Sequence, residues 1–235
     1  MEAAMLHLDR VGVRLGSFTL SADWQAAAGE RLAVIGPSGG GKSTLLMAIA
    51  GFVALSEGRV LWQGRDLGPM APGERPVSIL FQDQNLFPHL TLRENLGLGL
   101  SPRLRLGRQD RERIEAALER VGLSELGDAR PGRLSGGQQG RAALARALLR
   151  ARPILLLDEP FAALGPALKS EMLTLVAEIA AETQATVLMV THDPEDTRRF
   201  AGRTVLVAEG LAQPPRETEA LFADPPPALR HYLGT

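Results

Sequence analysis

The stretch LAVIGPSGGGKSTLLMAIA, residues 32–50, decides the fold of this chain. Leu32–Ile35 is a short apolar run ended by Gly36 and reads as a buried strand. Lys42–Ala50 reads as a helix. Between them GPSGGGKST, residues 36–44, fits the pattern G-x-x-x-x-G-K-[ST] at Gly36, Gly41, Lys42 and Ser43. Glycines there let backbone N–H groups close around phosphate oxygens, and the helix that starts at the loop turns its positive dipole end to the same anion. Gly36, Pro37, Ser38, Gly39, Gly40 and Gly41, with Lys42, Ser43 and Thr44, are therefore expected to bind the phosphates of a nucleotide. Lys42 is expected to reach the β and γ phosphates, and the Ser43 hydroxyl to sit on Mg2+. A glycine-rich turn with a chance lysine is the alternative, and the strand–turn–helix context speaks against it.

Further apolar runs at Val77–Phe81, Ile154–Leu157, Val187–Val190 and Val205–Val207 read as buried strands. Helical patterns at Arg111–Val121, Gln138–Arg150 and Pro166–Ala181 lie among them. Strands alternating with helices imply an α/β fold with a mostly parallel sheet covered on both faces. HLDRVGVRL, SFTLSADWQ and RVLWQG look instead like short alternating strands, so a small antiparallel layer is expected at the sheet edge. Between Phe81 and Leu134 helical, Arg-rich segments replace the strand signal, which suggests an inserted helical subdomain. The tail DPPPALRHYLGT is Pro-rich and is expected to be irregular.

The run ILLLDEPFAALGP, residues 154–166, ends in two adjacent carboxylates. An ATPase with such a phosphate loop needs an acid at the end of a neighbouring strand to hold Mg2+. Asp158 fits that task, through a water, and Glu159 fits the polarising of the attacking water. Helix capping by paired acids is the alternative, and the phosphate loop weakens it.

Composition excludes several classes. The chain has 235 residues, a net charge of −1 and no Cys, so no global basic field, disulfide framework or thiolate metal site is expected. The Arg-rich stretch near residues 103–113 is interleaved with acids at 110, 112 and 115, which favours a solvated helix face over a nucleic-acid patch. Of 26 Lys and Arg side chains, only those at 42 and 169 are lysines. The start MEAAMLHLDR lacks a basic region followed by an apolar core, so no signal peptide is expected. No run approaches the roughly 18 apolar residues that span a bilayer. If the chain works at a membrane, another subunit must provide the span.

LSGGQ, at Leu134–Gln138, heads a helical stretch, and here the sequence resembles the ATP-binding cassette (ABC) ATPases, whose signature it matches unaltered. Physically Ser135 and the N–H groups of Gly136 and Gly137 read as a second anion site at a helix N-terminus, with an ordinary helix N-cap as the alternative; the resemblance adds Gln138 to the nucleotide-binding set. The resemblance implies that two chains pack head to tail, so that each ATP lies between one phosphate loop and the partner's signature. Gln82, in SILFQDQ, matches the glutamine that touches Mg2+ and the water. His192, in VLMVTHD, matches the switch histidine that contacts the γ phosphate. The implied fold is a P-loop ABC ATPase with a mixed central sheet, an N-terminal antiparallel β layer and an inserted helical subdomain. It would form one domain over residues 1–235, with a core at about 1–84 and 150–225 and the insertion at about 85–149. Catalytic candidates are thus Glu159, His192, Gln82 and Lys42, and metal candidates are Ser43, Gln82 and Asp158.

Three departures from the family stand out. Arg14-Leu15-Gly16 replaces the usual adenine-stacking aromatic, Gly140 stands in the first turns of the helix after the signature at a propensity cost of up to about 1 kcal/mol, and Ala163-Leu164-Gly165 lacks the usual aspartate at its last position. The missing carboxylate normally helps link the two composite sites. A single cassette with no fused span looks like a bacterial import subunit. Within the family the segments at 75–91, 94–100, 154–176 and 187–210 most resemble the ATP-binding subunits of thiamine importers. Importers of iron, sulfate, polyamines or molybdate are alternatives, as is a soluble ABC ATPase acting on nucleic acid or the ribosome. The import reading implies ATP and Mg2+ and a homodimer, with integral membrane permease subunits and, indirectly, a periplasmic substrate-binding protein. It implies no nucleic acid, and a peripheral place on the cytoplasmic face of the inner membrane. The segment Asn85–Leu90 would face the permease, with Phe87 either a contact for it or buried in the subdomain.

Overall fold

A computed structural model describes residues 6–82, 86–162 and 164–234. The elements run β1 (Leu6–Leu15), β2 (Phe18–Ala26), β3 (Arg31–Ile35), α1 (Lys42–Ala50), β4 (Glu57–Trp62), β5 (Arg65–Asp66) and β6 (Val77–Leu80). Three helices follow, α2 (Leu92–Leu100), α3 (Arg108–Arg120) and α4 (Gly136–Leu149). The chain then alternates through β7 (Ile154–Asp158), α5 (Pro166–Thr183), β8 (Thr186–Val190), α6 (Pro194–Phe200) and β9 (Arg203–Ala208). It ends with β10 (Leu211–Ala212), β11 (Arg216–Glu217), α7 (Thr218–Ala223) and α8 (Pro227–Leu233).

The strands form one sheet in the order β5-β4-β1-β2-β10-β9-β3-β8-β7-β6, with β11 paired to β9. β9, β3, β8, β7 and β6 are parallel, and β2, β1, β4 and β5 are antiparallel. The expected N-terminal layer is therefore continuous with the main sheet. The join is β10, antiparallel to β9 and parallel to β2. Glu209 and Gly210 both have positive φ, the geometry of a tight two-residue turn, and fold β10 back onto β9.

Alternation along the central strands sends successive side chains to opposite faces. Ile154 and Leu156 join a core with Leu45, Leu46 and Ile49 of α1 and with Leu8, Val11 and Trp24 of the antiparallel strands. The sheet thus curls around α1, touching it from both its parallel and antiparallel parts. Leu155 and Leu157 face the other way, toward Met172, Leu173 and Val176 of α5 and Leu96, Ile114 and Leu144 of α2–α4. Each fully buried Leu contributes about 1.5–3 kcal/mol, so α1 is held where its N-terminus must be. Its C-terminal carbonyls are capped from outside: the Arg75 guanidinium donates to Ala48 O at 3.1 Å and Ile49 O at 2.8 Å.

The tail is not irregular. α8 covers Pro227–Leu233, with proline at its first position, where the missing N–H costs nothing. Leu229 is fully buried against Ile35, Leu206 and Leu221, which fixes the helix on the sheet. In α3, which begins at Arg108 rather than Arg111, the interleaved acids pair with the arginines: Arg108 with Glu112 at 2.9 Å, and Glu115 with Arg93 of α2 at 2.6 Å. Among the described residues no helix is long and apolar enough to cross a membrane.

Candidate nucleotide site

The loop between β3 and α1 is shaped by two glycines. At Gly36, φ is +144° and a Cβ would lie 2.0 Å from Val207 O; at Gly41, φ is +108° and a Cβ would lie 2.9 Å from the Phe18 ring. No L side chain fits either place. Lys42 is buried, and its ammonium donates to Gly36 O at 2.8 Å and Pro37 O at 2.9 Å, closing the loop on itself. Burial pulls the Lys42 pKa down, while the charges of Glu159 and Asp158 work to keep it protonated. A cleft of about 290 Å³ opens over this loop, lined by Lys42, Ser43, Thr44, Gly39, Glu159 and Phe18.

The two acids differ in environment. Asp158 ends β7 with 7% of its surface exposed. Burial pushes its carboxyl up, opposed by a hydrogen bond from the Ser43 hydroxyl. Ser43 and Asp158 thus present two hard oxygen donors at one point. Glu159 leaves the strand in the left-handed region at φ +46°, uncommon for a non-glycine residue. Its amide donates to Val190 O at 3.2 Å, and its carboxylate Oε2 lies 3.5 Å from His192 Nδ1. The strained turn separates the neighbouring carboxylates: Asp158 points to the α1 start and Glu159 toward the loop after β8.

That loop is held from two sides. The Tyr232 hydroxyl on α8 donates to His192 O at 2.9 Å. Lys169 on α5 donates to Asp193 Oδ2 at 2.7 Å and to Asp196 Oδ2 at 2.9 Å. Nothing in the sequence ties the tail to the histidine; the sheet order does, by setting β9 next to β3, whose other neighbour is β8.

The structure thus brings Lys42, Ser43, Asp158, Glu159 and His192 together. Gln82 lies two residues past β6, exposed, at the same end of the sheet as Asp158, since Leu80 pairs with Leu157. Ser135, Gly136, Gly137 and Gln138 are not brought to the cleft. They open α4 in a capping box, where the Gln138 amide donates to Ser135 Oγ and the Ser135 amide to Gln138 Oε1. A Cβ at Gly137 would lie 2.9 Å from Leu164, so the signature rests beside the segment leading to Gly165. Arg14 is exposed on β1 and does not line the cleft, whereas Phe18 at the start of β2 does. Sequence reading missed Phe18, because only the β1–β2 pairing places an aromatic there. Phe87 is exposed, at 46%. Residue 85 of the expected permease-facing segment lies outside the described residues, as does Ala163.

A family model described as ABC transporter matches residues 20–162. The chain belongs to the ABC transporter family. As an ABC ATPase it binds nucleotide and hydrolyses ATP in the service of transport. It is 80% identical over 230 residues to the thiamine import ATP-binding protein ThiQ of Cereibacter sphaeroides, covering 98% of this chain and 100% of that one. Identity to the protein of the same name from Ruegeria sp. is 59%, again covering 98% and 100%. For Jannaschia sp. it is 49% over 224 residues, covering 94% and 98%. Among solved structures, a dimeric bacterial ABC transporter cassette matches this cassette with a TM-score of 0.81 at 30% identity, over 91% of this chain and 99% of that one. A dimeric cassette in a post-hydrolysis state with ADP and Pi matches with a TM-score of 0.80 at the same identity and coverage.

Proposed function

We propose that this ABC ATPase is the ATP-hydrolysing subunit of a thiamine importer, working as a homodimer on the cytoplasmic side of a separate membrane permease. A periplasmic binding protein would deliver the cargo. The observation that carries the substrate is the 80% identity, over essentially the whole of both chains, to a protein named for thiamine import. The dimer is supported by the signature lying outside the cleft of its own chain, which leaves each site to be completed by a second copy. The core built on the sheet would carry the phosphate loop, and the insertion bearing α2–α4 would carry the signature.

The residues have distinct tasks. Lys42 neutralises charge on the β and γ phosphates, and the backbone from Gly36 to Gly41 donates to their oxygens. Ser43 and Asp158 would hold Mg2+. They fit it: the Ser43 hydroxyl and the Asp158 carboxylate are hard oxygen donors held in contact, and Mg2+ prefers a few protein oxygens with phosphate and water. When bound, the metal offsets charge on the β and γ oxygens. Glu159 orients the attacking water and takes its proton, and His192 contacts the γ phosphate beside it. Gln82 reports the nucleotide state to the insertion, and Ser135 to Gln138 of the partner copy close over the phosphates.

Labelled thiamine uptake in a strain lacking this chain tests the reading. The native chain is expected to restore uptake, and Lys42→Ala to fail, with ATP turnover lowered about 100-fold or more. Uptake unchanged by the deletion would remove thiamine; normal turnover in Lys42→Ala would reject the site.

A further inference from the structure

Only two lysines occur among 26 basic residues. Lys42 belongs to the phosphate loop; Lys169 belongs to no motif. It stands on the first turn of α5, where its amide donates to Gly165 O at 2.9 Å. Its ammonium meets two carboxylate oxygens at once, Asp193 Oδ2 at 2.7 Å and Asp196 Oδ2 at 2.9 Å. Asp193 immediately follows His192, caps α6 through the Glu195 amide at 2.9 Å, and donates its own amide to Thr191 Oγ1 at 3.1 Å. Thr191 in turn donates to Asp196 Oδ2 at 3.3 Å. Thr191 and Asp196 are both buried. The cluster therefore encloses His192 on both sides in sequence, and it borders the small cavity shared by Glu159, Leu164 and His192.

Burial works against the charge on Lys169, but its hydrogen bonds to the two aspartates outweigh it and raise its pKa. The same contact holds Asp193 below the usual carboxylate range. Without the ammonium, two carboxylates would face each other in a partly dry site with no cation between them. Such a pair relaxes by moving apart, and Asp193 cannot move without carrying His192.

We infer that Lys169 is a positioning residue for His192, bridging Asp193 and Asp196 and so coupling the switch loop to the first turn of α5 behind Gly165. This rests on the reading of His192 as the group that meets the γ phosphate. The coupling needs no carboxylate at position 165, and it runs within one chain.

The test is a double-mutant cycle on ATP turnover by the full chain with its permease. Lys169→Met keeps an unbranched apolar stem and removes the ammonium; it is expected to lower kcat about tenfold while leaving the KM for ATP within about twofold. Lys169→Arg, which keeps the charge, is expected to recover most of the turnover. In a His192→Ala background, Lys169→Met is expected to cost less than about twofold more, because its effect is already lost with the histidine. Should Lys169→Met not fold, Lys169→Gln carries the same expectations. Native turnover in the single variant, or an equal loss in both backgrounds, would overturn the inference. Native turnover in His192→Ala alone would instead overturn the reading of the site on which it rests.

Discussion

Asp158 and Glu159 are neighbours in sequence and different chemical objects in the fold. A buried carboxyl with a raised pKa binds its proton more tightly in the folded chain than in the unfolded one. Stability therefore falls as pH rises through that native value, and the penalty is in force at neutral pH. Asp158→Asn is expected to raise the melting temperature of the nucleotide-free protein at pH 7, by about 2–4 °C for each kcal/mol relieved. The gain should disappear below about pH 4, where the native carboxyl is protonated in both states. Mg2+-dependent hydrolysis should be lost in the same variant. Melts at the two pH values check it, and a lower midpoint at pH 7 would reject it. At Phe18, removal of the ring that walls the cleft is expected to raise the KM for ATP about fivefold or more with little change in kcat, read by steady-state kinetics. The acids were legible because they end an apolar run; Phe18 was not, because its place depends on the register that pairs it with Leu15.

At the scale of the element, Gly165 is the N-cap of α5, with φ −68°, ψ 159° and no side-chain cap. That backbone suits any residue, and a Cβ there meets nothing within 4 Å. Gly165→Asp is thus free of steric cost and should add a few tenths of a kcal/mol as a helix cap. It should also steepen the dependence of turnover on ATP concentration, because it restores the carboxylate that the family resemblance implies for linking the two sites. An unchanged Hill coefficient would mean that this position takes no part in linking the two sites. The central strands and helices were legible to within a few residues from their apolar periods. α8 was not: Pro225, Pro226 and Pro227 read as a breaker, yet a proline at the first helical position is compatible with a helix, and burial of Leu229 decides the matter.

For the whole molecule, the signature stands apart from the cleft of its own chain, and the proposed composite site makes the oligomer part of the chemistry. Glu159→Gln keeps the Asp158 and Ser43 oxygens and removes the carboxylate proposed as the base, so it is expected to bind ATP without consuming it. Light scattering should show its mass doubling from the 25.2 kDa chain in ATP with Mg2+. The native chain should return to its starting mass as ATP is spent. A mass that stays that of one chain in the variant would remove the composite site.

The sequence by itself determined the phosphate loop, the paired acids, the signature and the alternation of strand and helix. Each is a local pattern whose chemistry is set by neighbours in the chain. Tertiary structure decided what depends on residues far apart. It joined the two halves of the sheet through β10, put Phe18 rather than Arg14 at the cleft, and bent Glu159 toward His192. It also set Lys169 and Tyr232 on the histidine's loop from helices that begin 26 residues before it and 35 after it. Those contacts follow from which faces bury together around α1 and the central strands, and no local period in the chain encodes them.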